Sequence, residues 1–152
     1  MKGKPVFQHI LVPTDGSELS LRNVARAASY AHETGARITL IYVQPEAPAA
    51  YAGMGAVSHA HLTQDIQTRL QQASTEILDA AEKQVLAAGA SCQRVVRVGS
   101  KPYELIIAAA DEHGCDLIFM ASHGRSGVSA LLLGSETQKV LAHSKIPVLV
   151  YR

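Results

Sequence analysis

The sequence predicts one doubly wound α/β domain with a mostly parallel sheet, and three observations support this fold class. Short apolar segments rich in β-branched residues alternate along the chain with amphipathic helical patterns. Most of these apolar segments lack a polar face, which is typical of strands covered by helices on both sides. A glycine follows each of the first three helical patterns, at Gly35, Gly89 and Gly114, where a left-handed residue ends a helix.

The elements follow one another in the order expected for right-handed crossovers with helices on both faces of the sheet. Strands are predicted at Phe7–Val12, Arg37–Val43, Cys92–Val98, Asp116–Ala121 and Ile146–Tyr151. Helices are predicted at Glu18–Glu33, at His61–Ala88, from Pro102 to Gly114, and at Ser135–His143. Ser17 is the predicted N-cap of the first helix, and Ser135 with Gln138 fits an S-x-x-Q capping box at the fourth. The Ala-, Pro- and Gly-rich segment Gln44–Ala60 predicts a mobile loop and is a candidate lid.

The composition narrows the classes of protein to which the chain can belong. Its 152 residues suit a single domain, residues 1–152, and 47% hydrophobic with 18% charged residues is typical of a globular protein. With 14 Lys and Arg scattered among 13 acidic residues, no basic face predicts nucleic-acid binding. The sequence contains no apolar run long enough for a membrane span or a signal peptide, so we expect no membrane partner and a cytoplasmic protein.

The glycine-rich loop from Ala121 to Ser135 predicts a phosphate site. Its glycines leave room for backbone N–H groups to approach an anion, and Gly134-Ser135 opens a helix, whose first N–H groups attract phosphate oxygens. Arg125 adds a positive charge. The alternative is that the glycines serve turns and that Ser135 is only a cap. The position after the fourth strand favours a site, because ligands of such sheets bind beyond the carboxyl ends of the strands.

A second candidate lies at the end of the first strand, in Pro13-Thr14-Asp15-Gly16-Ser17. An acidic side chain at the carboxyl end of a strand is in position to accept hydrogen bonds from ribose hydroxyls, and Asp15 is the candidate for this role. The alternative is an Asx-turn, which Asp-Gly-Ser forms readily between a strand and a helix. His123 lies inside the phosphate loop, where binding or turn formation is favoured over acid–base catalysis.

The segments ILVPTDGSE and ASHGRSGVSALLLGSETQKVLAHSKIPVLVYR, and the order of elements between them, resemble the universal stress protein family along the whole chain. ATP-binding members of that family carry Gly, two residues, Gly, nine residues, and then Gly-Ser or Gly-Thr. Gly124, the nine residues Arg125–Leu133, and Gly134-Ser135 match this spacing. Ala121 replaces the first glycine and adds a β-carbon where the phosphates approach.

The resemblance implies a Rossmann-like fold of the adenine nucleotide alpha hydrolase type, an open five-stranded sheet with strand order 3-2-1-4-5, and ATP or another adenine nucleotide with Mg2+ as ligand. It places Pro13, Thr14 and Asp15 at the adenosine and the Val43 backbone at the adenine. The residues implied around the phosphates are Met120, Ala121, Ser122, His123, Gly124, Arg125, Gly134, Ser135 and Glu136. It also implies a homodimer through Ile146–Tyr151, for which the alternative is an edge strand protected by Lys145 and Pro147.

Three functions remain open on the sequence. The first is an ATP-binding stress-response or regulatory module with slow hydrolysis at most. The second is a weak ATPase or phosphotransferase that uses Asp15 or His123, although the sequence shows no P-loop and no GxSxG nucleophile motif. The third is a dimeric interaction protein in which Ala121 closes the phosphate subsite and no nucleotide binds.

Overall fold

The computed structural model describes residues 3–48, 55–124 and 132–152, which form five strands and four helices in strict alternation. All strand pairs are parallel, in the order β3-β2-β1-β4-β5, which confirms the predicted fold class and strand order. The elements are β1 (His9–Pro13), α1 (Glu18–Thr34), β2 (Arg37–Gln44), α2 (Ala56–Ala87), β3 (Cys92–Val98), α3 (Pro102–Glu112), β4 (Leu117–Ala121), α4 (Ser135–His143) and β5 (Val148–Tyr151).

Two layers of helices cover the sheet, and the alternation of side chains along each strand divides the core between them. Ile10 and Val12 of β1 pack in the cluster that includes the α1 and α2 residues, whereas Leu11 packs with α3 and α4. All three are completely buried. The central strands therefore read as continuous apolar runs because each face has its own helix layer.

The two edge strands differ from this pattern. In β3 only Val95 is buried, Val98 is 55% exposed, and Arg94 donates hydrogen bonds to Asp79 and Glu82 of α2. In β5, Leu149 is 41% exposed. The expectation that most strands are covered on both faces therefore holds for the three inner strands, while an edge strand keeps one side open.

Most element boundaries agree with the predictions to within two residues, and one loop differs more. Gln44 belongs to β2 and is buried, where its Oε1 accepts a hydrogen bond from Ser74 Oγ of α2 at 2.7 Å. Helix α2 begins at Ala56 rather than at His61. The predicted loop Gln44–Ala60 is thus wrong at both ends, and its residues 49–54 lie outside the described part of the chain.

The strand order creates a crevice at one edge of the sheet. From β1 the chain moves in one direction to β2 and β3, and β4 lies on the opposite side of β1. The loops that follow β1 and β4 therefore leave the sheet toward opposite helix layers, which opens a crevice between them at the carboxyl ends of the strands. No helix within the described ranges is long and apolar enough to cross a membrane.

Candidate functional site

A cavity of about 410 Å³ occupies this crevice, between the ends of β1, β2 and β4 and the first turns of α1, α3 and α4. The predicted site residues that line it are Pro13, Thr14, Asp15, Val43, Met120, Ala121, His123, Gly124, Gly134, Ser135 and Glu136. Ser122 is not among the lining residues, and Arg125 lies outside the described part of the chain. The fold thus brings together two segments that are more than 100 residues apart in sequence.

The loop after β1 forms a hydrogen-bonded turn that places the Asp15 carboxylate at the cavity. Asp15 Oδ1 accepts a hydrogen bond from the Ser17 N–H at 2.9 Å, which is the Asx-turn that Asp-Gly-Ser predicts. Gly16 has a φ of 79°, a left-handed conformation that glycine adopts without strain. Ser17 caps α1 as predicted, because its Oγ accepts from the Ser20 N–H at 3.2 Å. One oxygen of Asp15 is therefore fixed by the backbone.

The end of β2 presents backbone groups on the side of β1. The Ile41 carbonyl accepts a hydrogen bond from the Thr14 N–H at 2.9 Å, whereas the Gln44 carbonyl accepts from the Gly99 N–H at 3.1 Å on the other side. Main-chain groups of alternate residues in a parallel strand face the same neighbour, so those of Val43 face the β1 side, two residues beyond Ile41. β1 ends at Pro13, which pairs with Ile41, so no residue of β1 pairs with Val43. Val43 instead lines the cavity.

Ser122 connects the end of β4 to β5 and to the start of α4, although it does not line the cavity itself. Its N–H donates to the Tyr151 carbonyl of β5 at 2.7 Å, and its carbonyl accepts from the Gly134 N–H at 2.7 Å. Its Oγ lies 3.2 Å from His123 Nδ1, a contact that orients the imidazole. Ser122 therefore joins the two ends of the glycine-rich loop and fixes His123 at the cavity.

Helix α4 begins differently from the capping box that the sequence predicts. Gly134 is the N-cap residue, Ser135 is already the first residue of the helix, and no side chain in the described part of the chain caps it. Gln138 Nε2 instead donates to the Leu133 carbonyl at 2.8 Å. The capping-box prediction is wrong because the loop backbone reaches the N-cap position one residue earlier. As far as the described residues go, the first N–H groups of α4 consequently have no side-chain acceptor.

Gly134 is needed here for space rather than for an unusual φ. A β-carbon on residue 134 would lie 3.0 Å from His123 Cα and 3.3 Å from the Ser122 carbonyl oxygen, both of them backbone atoms. Thr137 stabilises the same turn, because its buried Oγ1 donates a hydrogen bond to the Ala121 carbonyl at 3.0 Å. The start of α4 is thus packed directly against the end of β4.

Six further lining residues were not predicted: Ser20, Ile41, Tyr42, Pro102, Ile106 and Thr137. Thr137 carried a weak signal, as a buried threonine two residues after the glycine-serine pair. Pro102 and Ile106 carried none, because their place at the cavity depends on α3 starting beside α4. That contact is made by Glu136 Oε2, which accepts a hydrogen bond from the Tyr103 N–H at 2.9 Å.

The charged residues of the described lining are Asp15 and Glu136, and this part of the wall contains no Lys or Arg. Nearby, a hydrogen bond with Glu104 raises the pKa of Tyr103, with smaller contributions from burial and from the charges of Glu104 and Glu136. In the described ranges no three His, Cys, Asp or Glu side chains are grouped as a metal site would require. The charged groups of the described lining are therefore both acidic, and the rest of that lining includes the apolar side chains of Ile41, Ile106 and Met120.

A second cavity, of about 580 Å³, lies between α3 and the connection from α4 to β5. It is larger, but it contains none of the predicted site residues and does not meet the start of α4. Because the smaller cavity lies where the strand order reverses, it is the better candidate for a ligand site.

Comparison with known proteins agrees with this architecture. The model of the universal stress protein family matches residues 7–152. Universal stress protein YxiE of Bacillus subtilis is 28% identical over 97% of this chain and 100% of its own length. The solved structure of protein MJ0577, whose curated counterpart is a universal stress protein of Methanocaldococcus jannaschii, superposes with a TM-score of 0.78 at 26% identity, over 96% of both chains.

A further solved structure is that of a universal stress protein in complex with cAMP. It is 28% identical and superposes with a TM-score of 0.66, covering 97% of this chain and 98% of its own. Since the family model spans nearly the whole sequence and the fold agrees with solved members, this chain belongs to the universal stress protein family.

Proposed function

We propose that this protein is a nucleotide-binding stress-response or regulatory module that holds an adenine nucleotide, ATP with Mg2+, in the cavity between β1 and β4. The observation that carries the proposal is that α4 begins at the cavity wall with no cap from any side chain that the structure describes. A helix start of this kind favours phosphate through its free N–H groups and its dipole. The related universal stress protein solved with cAMP supports an adenine ligand.

An adenine base suits the apolar part of the lining, which includes Ile41, Val43, Ile106 and Met120. The N–H and C=O of Val43 face the β1 side of β2, where they match the donor and acceptor of the adenine edge. Asp15, which also lines the cavity, would accept hydrogen bonds from the ribose hydroxyls.

Mg2+ fits this site only together with the nucleotide. The described residues supply no group of three metal ligands, and Mg2+ in nucleotide sites is commonly bound by one or two carboxylates plus phosphate oxygens. The carboxylates of the described lining that would contribute are Asp15 and Glu136. The ion would neutralise phosphate charge in a cavity whose described wall has no cationic side chain.

A homodimer through the last strand completes the proposal. β5 pairs with β4 on one side and ends the described sheet on the other, and Leu149 of β5 and Leu141 of α4 are 41% and 42% exposed. A short apolar edge strand of this kind gains from pairing with a second copy. Because Tyr151 of β5 also bonds Ser122, nucleotide occupancy and dimer contacts would be linked through one residue.

Calorimetric titration with Mg-ATP, AMP and a sugar without a base tests the proposal. We expect saturable binding of the adenine nucleotides and none of the sugar. In Gly134→Val the side chain would press on the His123 and Ser122 backbone and block the phosphates, so Mg-ATP binding should be lost. Asp15→Asn, which keeps the size of the side chain, serves as a second variant should Gly134→Val fail to fold. Absence of adenine nucleotide binding by the unaltered protein would contradict the proposal.

A further inference from the structure

Glu136 places a fixed negative charge at the start of α4, where the proposed phosphates would bind. Its Oε2 accepts a hydrogen bond from the Tyr103 N–H at 2.9 Å, and its Oε1 lies 3.3 Å from Lys139 Nζ. The residue lines the cavity, and its side chain is 37% exposed. Both carboxylate oxygens are therefore engaged while the charge remains next to the ligand site.

The hydrogen bond to Tyr103 explains why this carboxylate stays in place. Tyr103 lies in the first turn of α3, whose N-cap residue, Lys101, provides no side-chain cap. Glu136 thus satisfies one of the free donors at the start of α3 from a different helix. A carboxylate that rotated away from an incoming phosphate would leave the Tyr103 N–H without this acceptor.

A helix start attracts anions, but here Glu136 already supplies one within the first turn of α4. Each further negative charge bound at this end must therefore face a carboxylate. Lys139 offsets part of that charge, yet its side chain is 49% exposed and its field is screened by solvent. Among the charges that the structure describes, Glu136 therefore weakens the attraction of the start of α4 for anions.

We infer that Glu136 is a specificity-determining residue that disfavours uncompensated phosphate charge in this cavity. The inference rests on the proposed function. A nucleotide with a single negative charge, such as a cyclic monophosphate, meets little repulsion from Glu136. Free ATP, with its multiply charged triphosphate, meets more, and Mg2+ relieves the repulsion by neutralising part of that charge. The chain consequently selects among adenine nucleotides by charge as well as by base.

Calorimetric titrations of the unaltered protein and Glu136→Gln with adenosine, cAMP, and ATP with and without Mg2+, all at low ionic strength, test this inference. Glutamine keeps an acceptor oxygen for Tyr103 but carries no charge. We expect Glu136→Gln to raise the affinity for Mg2+-free ATP by about tenfold, with little change for adenosine. Lys139→Gln should lower the affinity for Mg2+-free ATP. Glu112→Gln, at the far end of α3, is the control with the same change in charge.

The outcomes separate the inference from the proposed function. If adenosine and the nucleotides bind but Glu136→Gln leaves the ratio of ATP to adenosine affinity unchanged, the inference is overturned and the proposed function stands. An equal rise in Glu112→Gln would attribute the effect to overall charge and would also overturn it. If no adenine compound binds to the unaltered protein, the proposed function fails and the inference fails with it.

Discussion

The Asp15 carboxylate and the backbone of Gly124 approach each other so closely that a β-carbon on residue 124 would overlap Asp15 Oδ2. The φ of Gly124 is not positive, so the glycine is required by this approach and not by its backbone conformation. Asp15 cannot simply turn away, because its Oδ1 accepts from the Ser17 N–H. The two loops proposed to hold the nucleotide are thus fitted to each other at this pair.

Gly124→Ala should weaken adenine nucleotide binding more than it weakens the fold. The added methyl group must displace the Asp15 carboxylate from the ribose position, and we expect a loss of affinity of about tenfold or more. Calorimetric titration with Mg-ATP measures the loss. Gly3→Ala, where a β-carbon has no neighbour within 4 Å, is the control. Equal affinities for Gly124→Ala and the unaltered protein would contradict a role for this pair.

Thr137→Val should destabilise the protein, because it removes the buried hydrogen bond from Oγ1 to the Ala121 carbonyl. The two side chains have the same shape, so the expected decrease in the free energy of unfolding, about 1–2 kcal/mol, reports the hydrogen bond. Urea denaturation measures it. The control is Thr75→Val, whose hydroxyl donates to Gln71 on an exposed face of α2. A similar decrease in both variants would argue against a special role for the contact between α4 and β4.

The stability of the protein should fall at mildly acidic pH through His9. Burial lowers the pKa of His9 from 6.5, the charges of Arg37 and His113 act in the same direction, and Asp116 opposes them. The unfolded chain therefore binds the proton more readily than the folded protein does. The contribution of His9 to the free energy of unfolding is fully present above its ordinary pKa of 6.5, and it declines as pH falls from there toward the folded-state pKa. His9 Nε2 is engaged with Thr39 Oγ1 at 2.7 Å, within the sheet.

Denaturation of the unaltered protein and of His9→Gln at several pH values between about 7.5 and 5 tests this dependence. Glutamine cannot take up the proton, so we expect the free energy of unfolding to fall less steeply in the variant. All other histidines are present in both proteins, so the difference between the two slopes reports His9 together with its interaction with His113. Identical slopes would show that His9 does not contribute.

Leu149→Glu should convert the proposed dimer into monomers. The substitution places a carboxylate on the exposed edge strand β5, where pairing with a second copy would bring it against its counterpart. Sedimentation velocity measures the change. Val6→Glu, at a position that is 83% exposed near the start of the chain, is the control. A dimer that persists in Leu149→Glu would exclude this strand as the interface.

The sequence was sufficient for the fold because its local signals agree with one another. Gly35 and Ser17 mark the ends of α1 as predicted, and the inner strands are apolar because both of their faces are covered. The cap of α4 was predicted wrongly, because Ser135 and Gln138 fit a capping-box pattern although Gly134 is the N-cap residue. A cap depends on where the preceding backbone arrives, and a local pattern does not contain that information.

The site was only partly predictable for a similar reason. Asp15 and the segment after β4 were found because each follows a strand, and strand ends meet at one edge of a parallel sheet. Ile106 and Pro102 were missed because only the side-by-side packing of α3 and α4 brings them to the cavity. The engagement of Glu136 by Tyr103 likewise joins residues 33 positions apart and has no sequence signature.

Nucleotide binding between β1 and β4 is tested best by a titration of isotope-labelled protein with Mg-ATP, monitored residue by residue through the backbone amide resonances. Binding in the cavity between β1 and β4 predicts saturable shifts for Val43, Gly124, Ser135 and Glu136. The amides around the second cavity, such as those of Ile107 and Lys145, should not move. Saturable shifts confined to the second cavity, or no saturable shifts at all, would show that the nucleotide does not bind between β1 and β4.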